Sequence, residues 1–262
     1  MLVEWGHVLG NRRQSRAVAE EDVRFPTASG DGEVHGILHR PATKPVAALA
    51  VTHGRSNDMK NPFVKRVAQA AADAGILAIR INFRYVETKG QASRNLAREE
   101  DDLLGAVRFL RKESPLASIF VAGKSMGARV CARASAAQDV AGVIALGYPL
   151  HPMFKPEVRN PPEWPKLVKP ALFVQGDHDP FCDLARMREE LPRLTQPYEL
   201  VVIPDAGHSF EAKGRKRDTF DEIWMPFRDW VFRQIVRAQA ETRANATKRA
   251  FDGTPSRSKN SM

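Results

Sequence analysis

Ser118-Ile119-Phe120-Val121-Ala122-Gly123-Lys124-Ser125-Met126-Gly127-Ala128-Arg129 carries a short apolar run into a Gly-x-Ser-x-Gly turn and then into helix-forming residues. The pattern predicts a strand, a sharp elbow with Ser125 at its tip, and a helix. A serine in such an elbow takes a strained backbone conformation, and side chains at 123 and 127 would strike the strand or the following helix, so both positions call for glycine. The turn would leave Ser125 Oγ exposed above the carboxyl end of a sheet.

The flanking sequence supplies that sheet. Val46 to Thr52 is a continuous apolar run, as expected of a strand covered on both faces, and it ends on His53-Gly54. Asp22 to Phe25 and Glu33 to His39 flank the turn-rich cluster Ala28-Ser29-Gly30-Asp31-Gly32 and predict an antiparallel hairpin at a sheet edge. Beyond Pro62, the spacing of Val64, Val67, Ala68 and Ala71 predicts a helix closed by Gly75, followed by a buried strand from Ile76 to Ile81. Leu96, Leu103, Leu104, Val107 and Leu110 mark one face of a longer helix, whose Glu99-Glu100-Asp101-Asp102 cluster reads as a solvated face. After the elbow come strands at Val143 to Leu146, Ala171 to Val174 and Glu199 to Ile203, with a helix through Leu184, Met187, Arg188 and Leu191. A final helix carries the stripe Phe220, Ile223, Trp224, Phe227, Trp230, Val231 and Ile235, and Pro226 is expected to kink or restart it.

Strands and helices alternating in this way predict an α/β fold: a mostly parallel central sheet with helices on both faces and an antiparallel N-terminal hairpin. The six prolines between Pro152 and Pro170 exclude a helical lid, so any cap is minimal and loop-like. Residues 1–20 read as an N-terminal arm, 21–236 as the one domain, and 237–262 as a basic tail expected to be disordered.

The formal net charge is +9, and +4 of it falls in the tail, through Arg237, Arg243, Lys248, Arg249, Arg257 and Lys259 against Glu241 and Asp252. The remaining charge is scattered, so no specific nucleic-acid partner is expected. Cys131 and Cys182 are far apart and in no metal-ligand spacing, which points to a reducing compartment, the cytoplasm by default. Glu4, His7, Arg12 and Arg13 interrupt the N-terminus, and no run of about 18 apolar residues occurs, so neither an export signal nor a membrane span is expected.

Three predicted strand ends supply a serine, an acid and a histidine: Ser125, Asp179 and His208. A serine hydroxyl is a poor nucleophile at neutral pH and needs a histidine to take its proton. The histidine in turn needs a carboxylate to fix its tautomer and to stabilise the imidazolium. Asp177 also follows Gly176 and is the alternative acid, with Asp179 preferred because it lies deeper in the loop. The backbone N–H groups of Met126 and Arg55 are the expected oxyanion donors, one following the nucleophile and the other from the loop after the third strand. The His53 side chain reads as hydrogen-bonding support in that loop. His35, His39, His151 and His178 form no metal spacing, and no cofactor or metal is expected.

The stretches Val51-Thr52-His53-Gly54, Ile81-Asn82-Phe83-Arg84-Tyr85-Val86-Glu87, Gly123-Lys124-Ser125-Met126-Gly127, Gly147-Tyr148-Pro149-Leu150-His151, Phe173-Val174-Gln175-Gly176 with Asp179-Pro180-Phe181, and Gly207-His208-Ser209-Phe210 together resemble the Tex/KANL-type family of α/β-hydrolase-like proteins, relatives of dienelactone hydrolases. The likeness runs from about residue 22 to 235. It implies the α/β-hydrolase fold, carries a Ser-Asp-His triad onto Ser125, Asp179 and His208, and leads to His53, Arg55 and Tyr148 as substrate-binding residues. Dienelactone hydrolases proper have cysteine where this chain has Ser125. The chain departs from the family at Arg55-Ser56-Asn57, where small residues are expected, and at Arg84, where proline is expected. The implied activity is that of a serine esterase on a small or medium ester. The competing expectation is a hydrolase-fold protein retained for binding, its triad idle. At the pocket rim the Arg55 side chain has two courses, outward to water or inward to a substrate carboxylate.

Overall fold

In the computed structural model the described residues are 18–158, 163–212 and 217–252, with 245–252 described by backbone alone. Eight strands form one sheet: β1 (Ala19–Pro26), β2 (Glu33–Arg40), β3 (Ala47–Thr52), β4 (Ile76–Ile81), β5 (Ser118–Lys124), β6 (Val140–Leu146), β7 (Ala171–Gly176) and β8 (Tyr198–Ile203). They lie in the order β1-β2-β4-β3-β5-β6-β7-β8. The β1–β2 and β2–β4 pairs are antiparallel and all others parallel, so the hairpin occupies one edge, as its turn residues predict.

Six helices connect and cover the strands: α1 (Pro62–Asp73), α2 (Arg84–Glu87), α3 (Ala97–Glu113), α4 (Met126–Ala134), α5 (Leu184–Glu190) and α6 (Phe220–Asp252). The pleat sends neighbouring residues of each inner strand to opposite faces. Ala48, Ala50, Ile119 and Val121 pack with Leu103, Val107 and Val130 of α3 and α4. Leu49, Val51, Phe120 and Ala122 pack with Val64 and Val67 of α1 and with Phe227 and Trp230 of α6. Both faces are thereby buried, which is why β3 and β4 are apolar without interruption apart from Thr52 and Arg80. Trp230 is accommodated because Gly142 faces it; a Cβ there would stand 2.8 Å from the indole.

Register brings the carboxyl ends of the strands level. Thr52 pairs with Gly123, Lys124 with Leu146, Leu146 with Val174, and Gly176 with Ile203. The loops that leave β3, β5, β6, β7 and β8 therefore emerge side by side, where open parallel sheets collect their reactive groups.

Three expectations need correction. The hairpin begins at Ala19, inside the segment read as an arm, of which residues 1–17 lie outside the described residues. The α3 acidic cluster is not a solvated face throughout: Glu99 and Asp102 are each 1% exposed. Glu99 accepts from the Ser93 N–H and hydroxyl, while Asp102 accepts from the backbone and guanidinium of Arg84, so the two carboxylates anchor loops. Burial raises the Asp102 pKa to about 6 despite that pairing. Arg84, the residue standing where proline is expected, reaches Asp31, Asp101 and Asp102 and ties the hairpin turn to α3.

The third correction concerns the basic tail. α6 passes through Pro226 and continues as helix to Asp252, well beyond the last residue of its apolar stripe. Ala, Arg, Gln and Glu are good helix formers, so the backbone keeps its conformation after the packing face ends. Residues 253–262 lie outside the described residues. No helix among the described residues is long and apolar enough to cross a membrane.

Ile235 is 7% exposed, whereas residues 236–244 are all exposed. A chain ending at Arg237 is therefore expected to melt within about 2 °C of the full chain, because residues 238–244, the part of the removed segment whose burial is described, are all exposed. Differential scanning calorimetry of the two chains checks this, and a fall of about 5 °C or more would show that the removed turns dock on the body.

Candidate active site

Ser125 has φ 55° and ψ −116°, a backbone conformation that non-glycine residues rarely adopt and one that costs about 1–3 kcal/mol. Its surroundings impose it. A Cβ on Gly123 would stand 2.2 Å from the Gly127 carbonyl carbon, and one on Gly127 would stand 2.4 Å from Thr52 Oγ1 and 2.8 Å from the His53 carbonyl oxygen. Strand, helix and the β3 loop thus meet backbone to backbone around the serine. The Ser125 N–H donates to the Leu146 carbonyl at 3.0 Å, and its own carbonyl accepts from Ala128 at 2.9 Å.

The conformation presents Ser125 Oγ to His208 Nε2 at 2.9 Å, and His208 Nδ1 lies 2.8 Å from Asp179 Oδ2. An ionised carboxylate only accepts, so Nδ1 carries the proton and Nε2 is left to accept from the serine hydroxyl. Asp179 is 6% exposed. Its Oδ2 also accepts from Gln175 Nε2 at 2.6 Å, and its Oδ1 accepts from the Phe181 N–H at 2.8 Å. Asp177, the alternative acid, instead pairs with His178 at the surface. The Phe181 ring lies 4.5 Å from the His208 ring, tilted 46° to it.

The β3 loop passes directly beside the elbow, a Cβ on Gly54 standing 3.4 Å from that of Ser125. The Arg55 carbonyl accepts from Tyr85 Oη at 2.7 Å, which fixes this loop. Met126 opens α4, so its N–H is one of the first-turn donors that have no partner within the helix. His53 is fully buried: Nδ1 donates to the Gly54 carbonyl at 2.7 Å, and Nε2 accepts from the Phe83 N–H at 3.3 Å. Burial lowers the His53 pKa and holds the ring neutral, as a ring that both donates and accepts must be.

A cleft of about 440 Å³ opens over Ser125, with Arg55, Phe63, Lys124, Arg129, Phe181 and His208 in its wall; among the described residues no carboxylate lines it. Arg129 is neutralised by a two-pronged pairing with Glu163, at 2.7 and 3.0 Å. Arg55 is exposed at the rim and, among the described residues, forms no ion pair.

The structure thus brings Ser125, His208 and Asp179 together and sets the Arg55 and Met126 backbone beside them. It does not bring His53 or Tyr148 to the cleft. Tyr148 is 0% exposed, packed on Trp164 and Phe173 with its hydroxyl toward Glu163, and its burial raises its pKa. Gly147 precedes it at φ 63° and follows the end of β6 close to the site, but the tyrosine side chain that comes next turns into the core. Sequence reading missed Gln175 and Lys124. Each is a polar residue at the end of an otherwise apolar strand, which was the available signal.

A family model described as an alpha/beta hydrolase domain matches residues 45–235. Among solved structures, a dienelactone hydrolase from Anabaena variabilis is similar with TM-score 0.67 and 21% identity, over 83% of this chain and 99% of its own. A serine hydrolase without lid from Xanthomonas campestris is similar with TM-score 0.60 and 24% identity, over 83% and 94%. Est1E from Butyrivibrio proteoclasticus is similar with TM-score 0.65 and 15% identity, over 82% and 99%. At these identities the likeness is one of fold.

Gly127→Ala is expected to lower stability by about 2 kcal/mol or more, since the added methyl meets backbone atoms that cannot yield. Urea denaturation checks this; a midpoint unchanged from the parent chain would mean that the elbow has room.

Proposed function

We propose that this chain, which belongs to the alpha/beta hydrolase domain family, is a serine hydrolase of carboxylic esters. The observation that carries the reading is the continuous hydrogen-bonded chain from Ser125 Oγ through His208 to buried Asp179, set on a strained elbow at the floor of a cleft. A binding protein has no need of that strain.

In the proposed reaction His208 Nε2 takes the hydroxyl proton as Ser125 Oγ attacks the ester carbonyl. The carbonyl oxygen becomes an oxyanion and accepts from the N–H groups of Met126 and Arg55. Donors aimed at the developing charge are worth about 3–4 kcal/mol each in related sites. The tetrahedral species collapses as His208 passes its proton to the leaving alkoxide, which leaves an acyl ester on Ser125. Water then enters, loses a proton to His208 and attacks the acyl carbon; the proton returns to Ser125 as the acid departs. Asp179 keeps the proton on Nδ1 and stabilises the imidazolium in both halves. Gln175 and the Phe181 N–H hold Asp179 in place by donating to it from the strand end and from its own loop.

A fluorophosphonate probe is expected to label the parent chain and to leave Ser125→Ala unlabelled. Asp179→Asn should lower kcat/KM for p-nitrophenyl esters by about 10³–10⁴, through loss of the correct tautomer, while Asp177→Asn stays within about twofold. Labelling independent of Ser125, or equal effects at the two aspartates, would end this mechanism and favour the idle scaffold.

The cleft wall, with Arg55 free of any ion pair among the described residues and no carboxylate, supports esters that bear a carboxylate of their own. Arg55→Ala keeps the backbone donor. It is expected to raise KM about tenfold for such esters, the loss of about 1.4 kcal/mol from a charge-assisted bond, and to spare neutral esters. Matched kinetics on the two ester types decide the point, and equal effects reject a carboxylate at Arg55.

A further inference from the structure

Lys124 is the last residue of β5 and the neighbour of Ser125, yet the reaction above gives it no part. The residue is half-buried at the cleft wall and, among the described residues, its ammonium forms no ion pair. Nζ donates to the His208 carbonyl at 2.5 Å and lies 5.2 Å from the centre of the Phe210 ring. Space for it exists because residue 147 is glycine: a Cβ there would stand 2.8 Å from Nζ, 3.3 Å from the His208 carbonyl oxygen and 3.7 Å from Asp179 Oδ2. An unpaired ammonium inside a protein is unfavourable, and an apolar side chain of similar length would fill the place without that penalty.

We propose that Lys124 is a positioning residue for His208: its ammonium grips the His208 carbonyl and lies beside Asp179, holding the histidine loop in reach of Ser125. The inference rests on the reading of Ser125, His208 and Asp179 as the reacting chain. The geometry supports it in two ways. The elbow and the histidine loop, 83 residues apart in sequence, are joined twice, through Ser125 Oγ to the ring and through Lys124 Nζ to the backbone of the same residue. The cation also sits on the carboxylate side of the ring, a Cβ on residue 147 lying 2.8 Å from Nζ and 3.7 Å from Asp179 Oδ2.

Among the described residues the charged or titratable groups facing the ammonium are Asp179 from the loop after β7, His208 and Glu211 from the loop after β8, and Ser125 beside it; the turn after β6 contributes Gly147. Burial lowers the Lys124 pKa to about 8, with Asp179 and Glu211 resisting the fall. Below that pH the ammonium makes a charge-assisted bond. Above it the neutral amine makes a weaker one, and the cation beside Asp179 is gone. Turnover should therefore fall on the alkaline side.

The test uses the full-length parent chain, Lys124→Met, Lys124→Arg and Ser125→Ala. Fluorophosphonate labelling and p-nitrophenyl acetate hydrolysis, corrected for the spontaneous reaction, are followed from about pH 6 to 10. The parent is expected to lose activity along a one-proton limb near pH 8. Lys124→Met should show kcat about tenfold lower at pH 7, KM within about twofold, and no such limb. Lys124→Arg, whose charge persists throughout, should also lack the limb, and it serves if Lys124→Met does not fold. A parent profile flat from pH 8 to 10, or a limb that persists in either variant, overturns the proposal even if rates or melting temperatures fall. Parent labelling no greater than that of Ser125→Ala defeats the serine reading itself and this inference with it, whereas Ser125-dependent labelling with an unmoved limb defeats the lysine alone.

Discussion

Everything at the cleft depends on one steric constraint: there is no room for a side chain where β5, α4 and the β3 loop meet. Gly123 touches Gly127, and Gly127 touches Thr52 and the His53 carbonyl. Those contacts leave Ser125 one backbone conformation, and that conformation decides where its hydroxyl points. The strain is local, but the restraint comes from the middle of the sheet, since β5 pairs with β3 on one side and β6 on the other. A less buried scaffold could not enforce such a turn, because strain persists only where the surroundings over-determine the backbone.

The second constraint is electrostatic and runs in the opposite direction, from the loops toward the sheet. Asp179 is a buried carboxylate and needs hydrogen-bond donors; His208, Gln175 and the Phe181 N–H provide them. Gln175 comes from inside β7, so the acid is referenced to the sheet and not only to its own loop. Gly176 makes this arrangement compact, because a Cβ there would stand 2.2 Å from the Ala206 carbonyl oxygen, bringing the Asp179 and His208 loops into direct contact. Each side chain of the Ser125–His208–Asp179 chain therefore comes from a loop, while its position is fixed by a strand end.

Much of this was legible in the sequence because burial writes itself as composition. β4 was bounded correctly at Ile76 and Ile81 since its apolar run has abrupt polar or glycine neighbours. Ser125, Asp179 and His208 stood out because each follows a predicted strand. What failed to show were partnerships across long separations. Glu99 and Asp102 look like a solvated face until Ser93 and Arg84 are seen to meet them, and Tyr148 looks available until Trp164 and Phe173 close over it. The length of α6 was underestimated for a different reason. Loss of an apolar stripe marks the end of packing, whereas helix propensity persists in the residues that follow.

The two cysteines carry a practical consequence. Cys131 packs under the elbow, its sulfur 3.7 Å from Thr52 Oγ1, and Cys182 lies beside Met187; both are buried and their thiol pKa values are raised. A thiolate forms at neither site near neutral pH while the fold is closed, so alkylating and disulfide reagents find nothing to react with. Opening of the fold around either thiol returns it to ordinary acidity. Thiol modification of this protein thus reports opening around each cysteine, and the rate at Cys131 follows exposure of the floor beneath Ser125.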